Sequence, residues 1–139
     1  MLLDDVATRL EASGLGLTIG TNLFKSIVPD SPDVASSIFE YGGTGPIKTM
    51  ANAPGQAVAE QPSFQIQCRG ARENVTSSAY STARILANNI MKSLDGYTGT
   101  INATKYFWIE AISSPYFLKR DENGRPYIAI DFDCQKALS

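Results

Sequence analysis

The sequence has no histidine and only two cysteines among its 139 residues. Without histidine, Ser-His-Asp and Cys-His catalysis are excluded within this chain, and the commonest zinc ligand is missing. Cys68 and Cys134 are too far apart in the sequence to form a metal-binding motif. Each lies on the apolar side of an alternating pattern, which predicts two small buried side chains. A disulfide between them stays open, because the sequence does not place their Cα atoms.

An excess of positive charge and a long apolar run are also missing. The chain has 12 basic and 14 acidic residues, whereas a protein held to DNA mainly through phosphates usually has a basic excess. No stretch approaches the roughly 20 apolar residues of a membrane helix. The opening MLLDDVATRLEAS carries early acids and does not resemble a signal peptide. We therefore expect a soluble protein made in a reducing cytoplasm, with no membrane partner and with one domain over residues 1–139.

Two segments have the apolar spacing of amphipathic helices. Residues 2–12 place Leu3, Val6 and Leu10 at helical intervals, with acids in the first turn. Residues 73–94 carry a longer apolar stripe of the same period and are followed by Asp-Gly. The sequence therefore predicts a short N-terminal helix and one long helix.

The rest of the chain alternates between strand-like runs and turns. The predicted strands are Leu23–Ile27, Val34–Tyr41, Pro62–Arg69, Thr100–Ser113, Tyr116–Leu118 and Arg125–Gln135. In the last of these, Ile128, Ile130, Phe132 and Cys134 are expected to face inward. Asn123-Gly124 suits the positive φ angles of a tight hairpin. The pattern predicts an α+β fold: a mixed, mostly antiparallel sheet of about four to five strands, with the long helix and the short N-terminal helix packed on one face.

Residues 42–61 interrupt this pattern. They are rich in glycine, proline and alanine and show no sustained period. A stretch of about 20 residues without structure is uncommon inside a compact domain. The segment is therefore either a mobile surface loop or an arm that becomes ordered on contact with another molecule, and we interpret it as an assembly loop.

The corner Arg69-Gly70-Ala71-Arg72 lies between a strand and a helix, where free N–H groups could bind an anion. A phosphate loop would need two glycines, a lysine and a Ser or Thr at fixed spacing, and these are not present. Glu73 also places a negative charge where an anion would bind. The stretch GLGLTIG at residues 14–20 likewise lacks the third glycine of a dinucleotide motif. We favour a structural corner over an anion site.

Two acids, Asp131 and Asp133, are expected on one face of the last strand. Paired carboxylates can bind a divalent cation or share a proton. They can equally form a solvated face or an ion pair between subunits, and we favour this second interpretation.

Lys119, Arg120 and Arg125 flank the predicted hairpin turn. They could form a basic tip for a partner, or they could be edge-strand charges that prevent unwanted pairing. Both interpretations stay open.

The aromatic residues Tyr106, Phe107, Trp108 and Tyr116 could stack on bases. Because basic residues do not alternate with them, core and interface packing is the simpler explanation.

Several blocks spread over most of the chain share features with one family. They are LLDDVATRLEASGLG, TNLFKSIVPDSPD and IFEYGGTGP near the start, and PSFQIQCRGAREN and SPYFLKRDENGRPYIAIDFDCQ further on. These blocks resemble the minor capsid or tail terminator proteins, of the head–tail joining class, of long-tailed bacteriophages.

This resemblance implies an α+β fold with helices on one side of a central sheet. It implies a virion protein of the neck, assembled in the host cytoplasm, which forms a homohexameric ring on the tail tube, stops tube polymerisation and joins the head connector or stopper. DNA would pass through the ring lumen without sequence-specific binding. The resemblance implies no catalysis and no cofactor.

The same interpretation gives a set of candidate interface residues: Tyr41, Gly42, Gly43, Lys48, Arg69, Arg72, Lys119, Arg120, Arg125, Asp131 and Asp133. Two alternatives stay open. One is a head-completion or stopper adaptor of the neck, and the other is a small enzyme or ligand-binding module with its site at the Arg69–Arg72 corner.

Overall fold

The computed structural model describes residues 1–47, 58–73 and 78–138. These residues form two helices and seven strands. The helices are α1, Leu2–Glu11, and α2, Ser78–Leu94. The strands are β1, Leu23–Lys25; β2, Ala35–Ile47; β3, Ala59–Arg69; β4, Tyr97–Ile101; β5, Thr104–Ala111; β6, Tyr116–Arg120; and β7, Pro126–Ala137.

All seven strands belong to one mixed sheet: six follow the order β1-β2-β3-β7-β5-β4, and β6 pairs with β7 outside this order. The pairings are antiparallel except for β1, which lies parallel to the first residues of β2. The long central strand β7 has β3 along one edge. Its other edge is shared by β6, which pairs with the first half of β7, and β5, which pairs with the second half.

The core lies between the two helices and one face of this sheet. Alternate residues of β3 and β7 are fully buried on that face: Phe64, Ile66, Cys68, Ile128, Ile130, Phe132 and Cys134. The rings of Phe64 and Phe132 stack with centroids 5.0 Å apart. Helix α2 adds Ala87 and Ile90, and α1 adds Val6, each with no exposed surface. The inward pattern expected for the last strand is confirmed, because period-2 alternation there matches a sheet covered on one face.

The α+β class and its one-sided helices are confirmed, but the sheet has more strands than the four to five expected. The run Thr100–Ser113 was expected to be one strand and is instead the end of β4 and the whole of β5. Asn102 and Ala103 form the turn between them, with φ of 48° and 66°. An Asn-Ala pair is a weak turn signal beside Asn-Gly, so the aromatic run that follows concealed the hairpin.

Part of the segment 42–61, which was expected to lack structure, is a hairpin. Strand β2 continues to Ile47 and β3 begins at Ala59, and these two residues are in register. Val58 N–H donates to the carbonyl of Ile47 at 2.8 Å. The pairing of β2 with β3 shifts in register twice, between Tyr41 and Thr44 and between Thr44 and Ile47. Such bulges place extra residues in one strand without ending the pairing. Residues 48–57 of the expected loop lie outside the described residues.

Helix α2 is confirmed up to its predicted end at Leu94. The predicted start at Glu73 is wrong, since Glu73 is not helical. Its carboxylate instead accepts a bond from Tyr80 N–H in the first turn of α2, at 2.6 Å. Such a bond satisfies a helix N–H that has no partner within the helix.

Candidate assembly surfaces

Arg69 at the end of β3 is buried and holds the loop before β2. Its Nε donates to the carbonyl of Asp33 at 2.8 Å, and its Nη2 donates to the carbonyls of Pro29 and Pro32 at 2.5 and 2.6 Å. The guanidinium also lies over the ring of Tyr127. Backbone oxygens of the same chain thus accept bonds from the guanidinium N–H groups of Arg69 that an anion would need.

Gly70 follows at a point of close approach between three elements. A side chain there would come 2.7 Å from the carbonyl of Ala79 and 3.1 Å from Pro126. The N–H of Gly70 donates to the Pro126 carbonyl at 2.9 Å. The glycine is needed for space between α2 and β7, and not for an unusual φ angle.

Arg125, one of the cations that flank the predicted hairpin turn, is buried at the centre of an ion-pair cluster whose aspartates lie nearer the surface. Its side chain is only 4% exposed. It contacts the carboxylates of Asp30 at 2.8 Å, Asp33 at 3.2 Å and Asp121 at 2.8 Å. The aspartates of two turns converge on Arg125, so this side chain is not available at the surface as part of a basic tip, one of the two interpretations that the sequence left open. We call Arg69, Arg72, Arg125, Asp30, Asp33 and Asp121 the arginine–aspartate cluster.

The other cations of that region also have partners within the protomer. Arg120 lies 3.2 Å from the Glu73 carboxylate. Arg72 lies 3.3 Å from Asp33 and is half exposed. Lys119 Nζ lies 4.8 Å from the centroid of the Tyr127 ring. Of the expected tip, Lys119 and Arg120 remain at the surface.

A polar network covers the sheet face that has no helix. Asp131 accepts bonds from Gln65 Nε2 at 2.9 Å and from the Tyr116 hydroxyl at 3.0 Å. Asp133 accepts a bond from the Ser63 hydroxyl. The two acids thus share a face, as the alternation predicted, and each is held by neutral donors from neighbouring strands.

Tyrosines surround these two carboxylates. Burial, together with the charges of Asp131 and Asp133, raises the pKa of Tyr41 to about 12. Burial and the bond to Asp131 raise the pKa of Tyr116 as well. Both phenols therefore stay protonated and able to donate near neutral pH. No group of three or more His, Cys, Asp or Glu side chains in residues 1–47, 58–73 and 78–138 could hold a metal ion.

Beyond Tyr41, β2 continues as an exposed segment along β3 at the edge of the sheet, and we call residues 42–47 the arm. Tyr41 is 44% exposed, and the residues that follow it up to Pro46 are exposed as well. Gly42 has open space around it, whereas a side chain on Gly43 would overlap the backbone of Gln61 and Pro62. Lys48, a further candidate interface residue, lies outside the described residues.

The aromatic run is divided between core and surface. Tyr106 is buried, and its hydroxyl donates to the Asp5 carboxylate at 2.6 Å. Burial, and to a lesser extent this hydrogen bond, raises the pKa of the phenol. Trp108 donates to Gln135 at 2.7 Å, while Phe107 is exposed. Since Tyr106 and Trp108 are held by partners in this protomer, the run does not form a continuous stacking platform.

The two cysteines are both free and fully buried. Cys68 is in register with Ile128, six residues from Cys134 along β7, which corresponds to roughly 20 Å at the rise of a strand. This separation excludes the disulfide that the sequence left open. Burial raises the pKa of each thiol to about 12.

A small groove lies between the Arg69–Arg72 corner and the first turns of α2. Its volume is about 190 Å³. The walls are mainly apolar, with Val34, Ala83 and Leu86 opposite the corner. The lining also includes the polar side chains of Arg69, Arg72, Ser78 and Thr82.

Sequence reasoning missed the acceptors that determine where the arginines lie. The sequence pattern assigned no charge partner to Asp30, Asp33 or Asp121. The signal that could have found them is the excess of aspartate in two turns of a chain whose arginines cluster near strand ends. Among the described residues, no helix is long and apolar enough to cross a membrane.

Comparison with known proteins gives one family match. Residues 9–138 match the family described as bacteriophage tail terminator protein. No curated protein sequence matches the chain significantly.

Solved structures share the fold. A chain from the "Virion of native gene transfer agent (GTA) particle" superposes with a TM-score of 0.66 at 15% identity, over 99% of this chain and 95% of that one. A second solved chain has a TM-score of 0.55 at 10% identity, over 96% of this chain and 92% of that one. At these identities the likeness concerns the fold alone.

Proposed function

The chain belongs to the bacteriophage tail terminator family, and we propose that it forms a ring on the end of the tail tube in the phage neck. The ring stops further addition of tube subunits and provides a surface for the head connector or stopper. The single observation that carries this proposal is the family match over residues 9–138. The likeness to a chain of a virion particle supports the location in the virion.

The mechanism is geometric. A ring protomer must present two different, complementary surfaces, because a cyclic ring of more than two identical subunits is built from heterologous contacts. The exposed arm that follows Tyr41 and the hairpin carrying Lys119 and Arg120 are separate surfaces available for such contacts. Termination then follows from mass action, since a ring that covers the last tube surface removes the site for the next subunit.

The proposal assigns no catalytic role to the chain. At the corner where the sequence left an anion site open, Arg69 is held by backbone oxygens and Arg72 pairs with Asp33. Asp131 and Asp133 are held by neutral donors, which suits a surface of fixed charge. The proposed partners are further copies of this chain in a homohexamer, the tail-tube protein, and the head connector or stopper. DNA passes through the lumen without sequence-specific contacts, and assembly takes place in the host cytoplasm.

Of the candidate interface residues, the proposal retains those at the described surface. They are Tyr41, Gly42, Gly43, Arg72, Lys119, Arg120, Asp131 and Asp133. Arg69 and Arg125 instead support the loops behind that surface, because both are buried within the protomer.

The direct test is arrest of tube growth in a purified system. Tail-tube protein is polymerised with and without this protein, and tube length is measured by electron microscopy. The proposal predicts shorter tubes with the protein bound at one end only. Tubes of unchanged length, with binding to isolated connector instead of tube, would favour the adaptor alternative.

A further inference from the structure

The sheet has an open edge on each side. Strand β1 accompanies β2 only as far as Ile38, and β2 continues to Ile47 with no described strand along that side. At the other end of the strand order, β4 pairs with β5 alone. The two open edges belong to the same half of the sheet, because residues 38–47 of β2 align through β3 and β7 with β5 and β4.

These two edge strands run in the same direction. Four successive antiparallel pairings connect β2 to β3, β7, β5 and β4. An even number of reversals returns the chain to its starting direction. Rotation about an axis along the strands keeps the direction of every strand. When two copies are related by such a rotation, β2 of one copy could therefore accept β4 of the other only in parallel. It already accepts β1 in parallel on this same side.

Backbone groups of both edges point outward. Ser36 N–H donates to Asn22 at 2.8 Å, and the Ile38 carbonyl accepts from Ser26 at 2.8 Å. Because strand groups alternate in direction, those of Glu40 point to the same outer side.

On β4, the turn of Asn102 and Ala103 leaves Ile101 opposite Thr104. A two-residue turn makes this flanking pair the hydrogen-bonded one. The N–H and C=O of the preceding residue, Thr100, therefore point away from β5.

The composition of the β4 edge is also unusual. Natural edge strands are commonly protected by charged residues, proline or bulges at the outer side. Strand β6 follows this rule with Lys119 and Arg120. Strand β4 reads YTGTI and contains neither a charge nor a proline; its one irregularity is a shift in register with β5 between Tyr97 and Gly99, before Thr100.

We propose that β4 of one protomer pairs in parallel with the open edge of β2, near Glu40, of the next protomer. The sheet then continues from subunit to subunit. Because β1 ends at Lys25, opposite Ile38 of β2, the β4 strand of the neighbour pairs with the part of β2 that follows Ile38. This inference rests on the proposed ring and specifies its contact. Two unlike edges form the heterologous interface that closure requires, and main-chain hydrogen bonds provide the pairing.

Proline substitutions that remove one outward N–H each test this pairing. In Glu40→Pro the β2 edge is blocked, and in Thr100→Pro the β4 edge is blocked. Glu40→Val and Thr100→Val are matched controls, because they change the side chain and keep the N–H. Particle mass is measured by sedimentation for each protein, alone and on tail tubes, with thermal unfolding as the check on folding.

Each proline variant should lose the ring and remain a monomer, while both valine controls form rings. An equimolar mixture of the two proline variants should give a heterodimer and nothing larger, because only one compatible pair of edges remains. Proline variants that form rings of wild-type mass would overturn the edge pairing and leave the proposed function intact. An equimolar mixture of the two proline variants that stays monomeric, although both variants are folded, would also overturn the edge pairing.

Hydrogen exchange on the unmodified protein provides a second test that does not depend on the variants. The amides of Glu40 and Thr100 should exchange at least tenfold more slowly in the ring than in the monomer. Equal exchange in both states would contradict the pairing. A wild-type protein that forms no ring in solution or on tubes would instead contradict the proposed function itself.

Discussion

The guanidinium of Arg125 lies 2.8 Å from the carboxylate of Asp30, although 95 residues separate them in the sequence. The same guanidinium also contacts Asp33 and Asp121. One side chain thus joins the loop between β1 and β2 to the turn between β6 and β7. The relationship suggests that the cluster fixes the end of the sheet opposite the arm.

The first prediction concerns the loss of this central cation. Arg125→Met should lower the free energy of unfolding by about 2 kcal/mol, because it removes the contacts of a buried guanidinium and leaves the mostly buried carboxylate of Asp121 without its charged partner. Chemical denaturation measures the change. Arg72→Met is the matched control, since Arg72 is half exposed and pairs with Asp33 alone, and it should lose less than about 1 kcal/mol. Equal losses in the two variants would contradict a central role for Arg125.

The second prediction concerns acid pH. Burial alone would raise the pKa of Asp121, but bonds from Arg125 and from Asn123 N–H lower it below 3.8. The folded protein then binds fewer protons near that pH than the unfolded chain, so stability rises with pH in this window. We expect the contribution of Asp121 to be complete above about pH 5 and to disappear as the pH falls through its folded pKa.

Asp121→Asn tests this pH dependence, because asparagine keeps the shape and cannot titrate. The variant should be less stable than the wild type at pH 7, and the difference should shrink below pH 4. Asp4→Asn is the control, since Asp4 also has a lowered pKa but pairs with Lys25 at the surface. A difference for Asp121→Asn that stays constant down to pH 2 would contradict the assignment.

The third prediction compares two adjacent glycines of the arm. Gly43→Ala places a methyl group against the backbone of Gln61 and Pro62, and we expect a loss of about 1–3 kcal/mol or displacement of the hairpin. Gly42→Ala enters open space and should be nearly neutral. Thermal unfolding and hydrogen exchange of β2 and β3 measure both effects. The same loss in both variants would show that backbone freedom, and not space, determines the choice of glycine.

The fourth prediction concerns the thiols. With a pKa of about 12 and no exposed surface, Cys68 and Cys134 should not react with a thiol reagent in the folded protein at pH 8. Both should react once the chain is unfolded, because neither cysteine is in a disulfide. Rapid labelling of either residue under native conditions would contradict their burial.

The α+β class was predictable from the sequence because the strongest patterns are those of the core. The alternation in β7 and the stripe of α2 reflect burial on one face, and burial determines periodicity directly. The extension of β2 past Tyr41 was not predictable from that signal. Its glycines and Pro46 have low strand propensity, and only pairing with β3 makes the segment a strand.

The candidate sites were likewise predictable only in part. The side-by-side position of Asp131 and Asp133 followed from alternation alone. The burial of Arg69 and Arg125 did not, because it depends on Asp30 and Asp33, which a distant loop brings to them. Long-range charge pairing has no local period, so the sequence revealed the cations without revealing their partners.

The most direct test of the terminator function is the length of tails in particles assembled without this protein. Deletion of its gene, with and without expression of the wild-type chain from a second copy, is followed by electron microscopy of the released tails. The account predicts tails that extend beyond the normal length and do not join heads, with normal length restored by the second copy. Tails of normal length in the deletion would contradict it.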